Sequence, residues 1–452
     1  MKRFAVTLGI TALFMASLAG ARSFTLAQAV DFALAHNSMA RLAKARRAAA
    51  SAELRLARDQ GIPEISASYG YLLSNNPLEA LSAELERRQV SATAFTPTTL
   101  NHPGITKLGT TTLSLSWPLY TGGALTETLR AGRYGHEAAR SAALRIRQSI
   151  MAQVVQSYEG VLVAREGLVI ARKAVVAARR HARTTRYLYA HGRIVRSDAL
   201  SAAVNLGASE GMLAEAHGNV RIAMDNLAMA MGAPAGLAIT VPPAALPVVP
   251  IPRKGLAAFY RQALTDRPDI KALRTEISAL HAQAQAARDR SSFQVRLTAE
   301  SQWFSEIPNL NHNAWTVGAV VSKSLYDGHR NRDRADVLEQ RAIEIQAKLA
   351  GLRARIRNHV ARAFDDMRTA MAQYRIANAN VARARQTVAL TQVRYGEGRT
   401  ILLSLLNAEN GLVQAREARL AALYALAANR TALAATCGRL SRRTLASLGV
   451  AS

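Results

Sequence analysis

The chain of 452 residues has almost no cysteine, since Cys437 is the only one. A single cysteine cannot form an internal disulfide, so the fold has to be stabilised without one. Cys437 also lies far from the N-terminus, where a thiol would be needed to carry a lipid anchor. We interpret it as a small, buried apolar residue near the end of a helix.

Long hydrophobic runs are missing after the first 21 residues. No later stretch is apolar over about 18 residues, so a chain that spans a membrane has to do so with strands. Phe4 to Leu18 is apolar, follows two basic residues and precedes an A-x-A motif that ends at Ala21. This layout is typical of a secretory signal peptide, and the run is short for a membrane anchor of about 20 residues. We therefore predict a signal peptide over residues 1–21 and an exported mature chain.

Lysine is scarce, although the chain is strongly basic. Lys and Arg together number 58 against 31 Asp and Glu, a net charge of +27, and only eight of the 58 are Lys. The arginines are spread along the whole chain and are not interleaved with aromatic residues, unlike a nucleic-acid-binding surface. We predict no nucleic-acid partner and leave three explanations of the charge open, namely codon bias, an acidic medium or a positive potential inside a pore.

The common motifs of metal, phosphate and nucleophile chemistry are missing too. The sequence contains no H-E-x-x-H, no G-x-x-x-x-G-K and no paired cysteines. Gly207 to Gly211 matches G-x-S-x-G around Ser209, but that motif needs a strand before a sharp turn, and here it lies in a helical stretch. We predict no enzyme activity, no cofactor and no metal site. The competing hypothesis, an exported hydrolase, would need a histidine and an acid beside Ser209.

What the chain does contain is an internal repeat. Leu119 to Gly123 resembles Leu325 to His329, and Tyr189 to Arg193 resembles Tyr395 to Arg399, both at an offset of 206 residues. The openings of the two halves match at an offset of 230, so the first half carries 24 extra residues within Ser74 to Ile105. Because this stretch contains several prolines, we predict a long loop there.

The repeat predicts the domain organisation. We assign residues 22–241 to a first structural repeat, 242–252 to an extended Pro-rich linker, 253–438 to a second repeat and 439–452 to a short basic tail. Each repeat is predicted to contain a helix, a strand, a loop, a strand, a long helix, a turn and a helix, in that order.

The longest predicted helices carry a narrow apolar stripe. Apolar residues recur at steps of three or four from Ile345 to Tyr374, and the first half shows the same period from Val154 onward. A stripe of this kind is typical of coiled-coil packing. The helix from about Ala124 to Ala190 would measure roughly 100 Å at about 1.5 Å per residue. The remaining helices are predicted near 25–60, 197–231, 255–290, 325–395 and 401–437.

Four segments of about nine or ten residues alternate between apolar and polar side chains. They lie near 65–73, 113–119, 295–303 and 315–322. Their length suits a tilted strand that crosses a membrane, although a half-buried soluble sheet would show the same alternation. Four strands cannot close a transmembrane barrel, and open edges are not tolerated in lipid, so crossing strands would have to be pooled by several chains.

In the order and spacing of its motifs the chain resembles the TolC family of outer-membrane efflux proteins. The resemblance covers essentially the whole mature chain. It rests on the following segments: Leu26 to Ser38, Trp117 to Gly123, Gln262 to Leu264, Arg267 to Asp269, Leu325 to Gly328 and Arg394 to Leu406.

The resemblance implies a mainly helical homotrimer. Each chain would add four strands to one membrane β-barrel of 12 strands and long antiparallel coiled-coil helices to an α-barrel. The protein would be a passive exit duct of a tripartite efflux or type I secretion system. It would sit in the outer-membrane lipid of a Gram-negative bacterium, with most of its mass in the periplasm. Its partners would be a periplasmic adaptor protein and an inner-membrane pump. The alternative is a periplasmic coiled-coil adaptor or scaffold without a pore.

The resemblance also assigns roles to the turns. Gly192 and Gly398 follow the long helices, where glycine commonly ends a helix in a left-handed conformation. The resemblance places these turns at the periplasmic tip and makes them the adaptor-docking surface. The residues assigned to it are Tyr189, Gly192, Arg193, Arg196, Tyr395, Gly398 and Arg399. The strand-to-helix turns are assigned to Gly122, Gly123, Asp327 and Gly328.

Asp198 and its counterpart Ser404 are the candidate gate. Members of the family often carry an Asp shortly after the tip turn. Asp198 matches that pattern, whereas Ser404 departs from it, and arginines surround both turns. A carboxylate ring at the tip would therefore be weakened or replaced by a basic one, and we carry over no cation preference from the family.

Overall fold

The structure is a computed structural model that describes residues 22–234, 236–248, 255–305, 312–442 and 444. The predicted signal peptide lies outside the described residues, as do the end of the predicted linker and most of the predicted basic tail. The described residues form two compact units. The helical unit draws on residues 22–44, 143–268 and 353–444, and the sheet unit on residues 45–142 and 269–352.

Helices make up most of the described chain. Their bounds are α1 Leu26–His36, α2 Ser38–Asp59, α3 Pro77–Glu86, α4 Pro97–Asn101, α5 Ala124–Ala190, α6 Arg196–Met231, α7 Leu256–Asp266, α8 Pro268–Asp289, α9 Arg330–Gly396 and α10 Leu402–Thr436. Over the residues that the structure describes, none of the helices has a stretch apolar and long enough to span a membrane. The bounds of α5 agree with those predicted from the sequence.

The helices predicted near 25–60 and 255–290 are each broken in two. Asn37 is extended, with φ −62° and ψ 137°, and separates α1 from α2. Arg267, with φ −73° and ψ 122°, separates α7 from α8 in the same way. Asn37 Nδ2 donates to the carbonyl of Ala230 at 2.9 Å, and Arg267 Nη1 donates to that of Thr436 at 3.0 Å. Contacts distant in sequence thus hold both breaks, which the local apolar period could not reveal.

Residues 75–105 contain short helices, so the prediction of a long loop was wrong. Asn76 Oδ1 accepts a hydrogen bond from the Leu78 amide at 3.0 Å at the start of α3, and Pro77 is its first residue. A 3₁₀ helix at Ala92–Phe95 and α4, which starts with Pro97, follow. Proline tolerates the first helical position because no intrahelical bond is needed there. Two of the three prolines that suggested a loop, Pro77 and Pro97, therefore mark helix starts.

The apolar stripes of α5 and α9 are buried. Val154 and Tyr158 of α5 lie in the main core of the helical unit. On α9 the same period buries Ile356, Val360 and Met367. Cys437 is also buried, as predicted, and burial raises the pKa of its thiol to about 11. The free energy gained by removing these side chains from water is what stabilises the long helices.

The strands form two sheets. A two-stranded parallel sheet pairs β1, Arg22–Ser23, with β4, Ile239–Thr240. The other sheet is antiparallel in the order β2-β3-β5-β6. Its strands are β2 Glu64–Ser74, β3 Thr106–Tyr120, β5 Gln294–Ser305 and β6 Asn313–Ser322. α2 and α8 precede β2 and β5, and α5 and α9 follow β3 and β6, so these four helices attach at one end of this sheet.

Candidate functional site

The four-stranded sheet has one apolar and one polar face. The register pairs Ile65 with Leu115, Leu115 with Ala299 and Ala299 with Val317. Because side chains alternate along each strand, the register brings the apolar sets of all four strands to one face. That apolar face carries Ile65, Ala67, Tyr69, Tyr71, Leu73, Leu113, Leu115, Trp117, Val295, Leu297, Ala299, Trp303, Trp315, Val317, Ala319 and Val321.

Most of the large side chains on the apolar face are exposed in the isolated chain. Ile65 is 66%, Trp315 72% and Val317 60% exposed. Trp117 directs its indole Nε1–H to the carbonyl of Gly61 at 3.1 Å, which leaves its apolar ring at the surface. A continuous apolar surface of this extent is typical of contact with a membrane or with another protein.

The opposite face is lined mainly by small polar side chains. Ser66 and Ser114 share a hydrogen bond of 2.7 Å between their hydroxyls. The charged residues that the described strands place on this polar face are Glu64, Arg296 and Glu300. The face thus has a small negative balance, although the chain as a whole carries +27.

The predicted strand-to-helix turns lie where β3 enters α5 and β6 enters α9. Gly122 and Gly328 have φ of 63° and 66°, in the left-handed region that favours glycine. Thr121 Oγ1 accepts from the amide of Leu125 at 3.1 Å, and Asp327 Oδ2 accepts from that of Asn331 at 3.1 Å. These side chains satisfy free amides at the starts of the two helices.

Gly123, the remaining predicted turn residue, has φ 99°. A Cβ at this position would lie 2.8 Å from Asp289 Oδ2. His329 occupies the equivalent place in the second repeat and adopts φ 65°. The turn is therefore left-handed in both repeats, and a side chain at position 123 would displace the carboxylate of Asp289.

The two predicted tip turns have the same geometry. Gly192 and Gly398 adopt φ of 68° and 71°. Their amides bond to the carbonyls of Tyr189 at 2.9 Å and Tyr395 at 3.1 Å. The next amides, those of Arg193 and Arg399, bond to residues five positions back at 2.9 and 2.8 Å. This is the Schellman arrangement, which closes α5 and α9.

The turns are joined by a small apolar cluster between the repeats. Ala202 of α6 is buried against Leu402 and Leu406 of α10, and Tyr395 packs on the same cluster. Burial raises the pKa of the Tyr395 hydroxyl, and the nearby carboxylate of Asp198 raises it further. The structure therefore brings Asp198 and Tyr395 together beside the two predicted tip turns.

The other predicted tip residues stay outside this cluster. Tyr189, Arg193 and Arg196 are exposed, as is Arg399, whose Nη1 pairs with Glu397 Oε2 at 3.3 Å. Ser404 occupies the same half-buried place on α10 that Asp198 occupies on α6. Their amides make equivalent 3.1 Å bonds to Ile401 and Val195. The docking and gating roles of all these residues remain predictions.

Sequence reasoning missed polar pairs that join α5 to α10. His181 Nε2 lies 2.8 Å from Glu409 Oε1, and the Thr431 hydroxyl donates to Glu159 Oε1 at 3.4 Å. Glu159 is fully buried, and its burial raises the pKa of its carboxyl to about 7, an effect that Arg430 and Thr431 oppose. No local pattern could have indicated these pairs, because the partners are 228 and 272 residues apart.

Ser209 lies within α6, and its hydroxyl donates to the carbonyl of Asn205 at 2.9 Å. This is the usual bond of a serine inside a helix and not the strand-to-helix elbow of a hydrolase. Among the described residues, no group of three or more His, Cys, Asp or Glu is arranged to hold a metal ion.

Comparison with known protein families matches two segments of the chain. The model of the outer membrane efflux protein family matches residues 29–233 and 259–439. The chain belongs to the outer membrane efflux protein family. The family predicted from the sequence is thereby confirmed, and members of this family are transport proteins.

Two curated relatives are similar over part or most of their length. Protein CyaE of Bordetella pertussis is 28% identical over 429 residues, which cover 93% of this chain and 85% of that protein. Alkaline protease secretion protein AprF of Pseudomonas aeruginosa is 24% identical over 279 residues, which cover 59% of this chain and 57% of that protein.

Solved structures of outer-membrane channels have the same fold. VceC of Vibrio cholerae superimposes with a TM-score of 0.73 at 19% identity, over 91% of this chain and 96% of that one. The CmeC channel of Campylobacter jejuni gives 0.75 at 16% identity, over 93% of this chain and 88% of that one. The predicted fold class, mainly α with four antiparallel β-strands per chain, is confirmed, and the pooling of strands in a trimer remains a prediction.

Proposed function

We propose that this outer membrane efflux protein is the passive exit duct of a tripartite efflux or type I secretion system. The observation that carries the proposal is the two-faced sheet, with exposed apolar residues on one side and serine, threonine and charged residues on the other. In a membrane duct the apolar face contacts lipid and the polar face lines the conduit.

The sheet has to be completed by other copies of the chain. β2 and β6 are the outer strands of the described sheet, and their free backbone groups would be unsatisfied in lipid. Three chains that join these edges form a barrel of 12 strands, which lies within the range of transmembrane barrels. The homotrimer thus provides the missing partners of both outer strands.

The helical unit supports self-association as well. α5 of the first repeat lies along α10 of the second, where Arg145 Nη1 donates to the Ala435 carbonyl at 2.9 Å. Ile170 of α5 is only 5% exposed, whereas its counterpart in α9, Ile376, is 63% exposed. The face of α9 that carries Ile376 is therefore exposed in the single chain, whereas the equivalent face of α5 is buried. The first repeat of another copy could pack against this exposed face of α9.

The expected partners are a periplasmic adaptor and an inner-membrane pump that supplies the energy. The name of AprF refers to secretion of a protease, which supports a secretion system as one setting for this duct. The location proposed here is the outer membrane of a Gram-negative bacterium, with most of the mass in the periplasm. The tip turns at Gly192 and Gly398 are the proposed adaptor-docking surface.

The test uses the mature protein purified in detergent and reconstituted into planar bilayers. We expect stable single-channel currents, and the reversal potential in a salt gradient gives the ion preference. Pores that favour anions would place the excess arginines along the lumen, and pores that favour cations would place them on outer surfaces. A protein that is soluble without detergent and forms no pore would contradict the duct and favour the periplasmic scaffold.

Two neighbouring residues provide a matched pair of variants. Val317 is on the apolar face and Thr316 on the polar face. Val317→Arg should prevent stable insertion, because a charge facing lipid costs roughly 2–4 kcal/mol at the bilayer midplane, and a trimer carries three. Thr316→Arg should insert normally and shift the reversal potential towards anion preference. Equal insertion of both variants would contradict the assignment of the faces.

A further inference from the structure

The connection from β2 to β3 is longer than the connection from β5 to β6. It runs over residues 75–105, against 306–312 in the second repeat. The connection from β2 to β3 lies at the end of the sheet opposite α2, α5, α8 and α9. Residues 75–105, here called the collar, contain α3, the 3₁₀ helix and α4.

The collar packs on the polar face of the sheet. Ala83 of α3 is fully buried in a cluster with Leu108 of β3 and Phe304 of β5. Thr110, two residues after Leu108 and so on the same face, is the register partner of Phe304. By the same alternation these residues share the face of Ser114 and Glu300. α3 therefore covers the face that carries the polar side chains, and not the apolar face.

A second contact fixes the far end of α3. Arg88 adopts φ 56°, in the left-handed region that non-glycine residues seldom occupy, and its amide bonds to the Leu85 carbonyl at 3.0 Å. Its Nη2 donates to the carbonyl of Asn313, the first residue of β6, at 3.1 Å. β6 lies two strands from β3, about 10 Å at roughly 4.8 Å per strand. The collar thus reaches across the width of the sheet.

We propose that the collar narrows the outer end of the conduit and sets the size of the solute that can pass. This inference rests on the proposed function, in which the polar face lines the conduit. Each chain of the trimer contributes one collar, so three sets of helices converge where the strands end. The contacts of Ala83 and the tether of Arg88 hold each collar inward.

The test measures access to a thiol on the polar face from the outer side of the membrane. Ser68 is exposed on that face opposite Thr112, so Ser68→Cys provides the thiol in the full chain. Cys437 is buried and does not compete for the reagent. A small maleimide and a maleimide carried on a bulky polyethylene glycol are compared. The small reagent should label the intact protein readily, and the bulky reagent should label it slowly.

Two variants loosen the collar in different ways. Ala83→Glu places a carboxylate in the buried contact and should displace α3, and Arg88→Ala removes the bond to Asn313. Each should speed labelling by the bulky reagent several-fold without changing labelling by the small one. Leu78→Glu is the matched control, because Leu78 is on the same helix but 75% exposed, and it should change neither rate. If Ala83→Glu fails to fold, Arg88→Ala carries the test alone.

The possible results distinguish a failure of the collar proposal from a failure of the duct proposal. If the bulky reagent labels all variants at the same rate while the small one labels normally, the collar does not narrow the conduit and the duct stands. If neither reagent reaches the thiol at position 68 in any variant, the polar face is not exposed to an aqueous conduit. That result would overturn both the duct and the collar.

Discussion

The two repeats build the same junction with different side chains. Gly232 and Gly438 end α6 and α10 with φ of 67° and 72°. Each lies against the break in the first helix of its own repeat, at Asn37 in one and Arg267 in the other. An amide donates to the end of α6 and a guanidinium to the end of α10. The comparison shows that the repeat keeps the left-handed helix end and the broken helix, while the donor side chain varies.

The two repeats differ most in how deeply equivalent residues are buried. Glu159 of α5 is fully buried against α10, whereas Asp365, its counterpart in α9, is exposed. Tyr395 is half-buried, whereas its counterpart Tyr189 is exposed. Equivalent residues of the two repeats therefore have unequal environments in the single chain.

Gly232→Ala should have the largest effect on stability. A Cβ there would lie 2.7 Å from the Asn37 Cα, a backbone atom, in addition to the left-handed strain. We expect a loss of roughly 3 kcal/mol in the free energy of unfolding. Gly438→Ala should cost somewhat less, since its Cβ would lie 3.1 Å from the Arg267 Cα.

Gly192→Ala is the control for this series, because a Cβ at Gly192 meets nothing within 4 Å. It should cost only the backbone strain, about 1 kcal/mol. Unfolding midpoints followed by circular dichroism at one protein concentration would rank the three variants. Equal losses would show that crowding at Gly232 does not contribute.

Glu159 should make stability depend on pH. Burial raises the folded pKa of this carboxyl to about 7 from 4.5, so its protonated form favours the folded state. The resulting stability, on the order of 3 kcal/mol, is complete below the unfolded pKa and is lost as the pH rises through about 7. The unfolding midpoint of the wild type should therefore fall between pH 5 and pH 8.

Glu159→Gln should flatten that pH dependence, because the amide does not titrate. Asp365→Asn is the matched control at the equivalent, exposed position and should leave the profile of the wild type unchanged. If Glu159→Gln keeps the full slope between pH 5 and pH 8, another group is responsible for it.

Replacing the candidate gate residue should have the smallest effect. Asp198→Ala should raise the leak conductance modestly, because it removes the carboxylate beside Tyr395 and Ser404 cannot supply another. Ser404→Ala should leave the conductance unchanged. Single-channel recordings of both variants test this prediction, and unchanged conductance in Asp198→Ala would remove Asp198 as a gate.

Much of the fold could be predicted because the signals are local and repeated. The bounds of α5 and the alternation of the four strands depend on periods of 3.6 and 2 residues, which are visible without knowledge of the partners. Left-handed turns at Gly192 and Gly398 were indicated by glycine directly after the apolar pattern of a helix. The roles of the tip residues rest on resemblance and remain to be tested.

Only one of the two helix breaks has a local signal in the sequence. Pro268 directly after Arg267 is a local signal, since the residue before a proline disfavours the helical conformation. At Asn37 the equivalent break has no proline, and a distant carbonyl stabilises it. The helices of the collar were missed because proline is compatible with both a loop and a helix start.

The sequence by itself determined the long helices, the four strands, their repetition and the two faces of each strand, since backbone geometry and side-chain alternation depend on neighbours in the chain. Tertiary structure alone decided which of two equivalent residues is buried, as with Glu159 and Asp365. It also decided that the collar lies on the polar face, through Ala83, Leu108 and Phe304. Burial and register depend on surfaces that meet across hundreds of residues, and no local pattern encodes which surfaces meet.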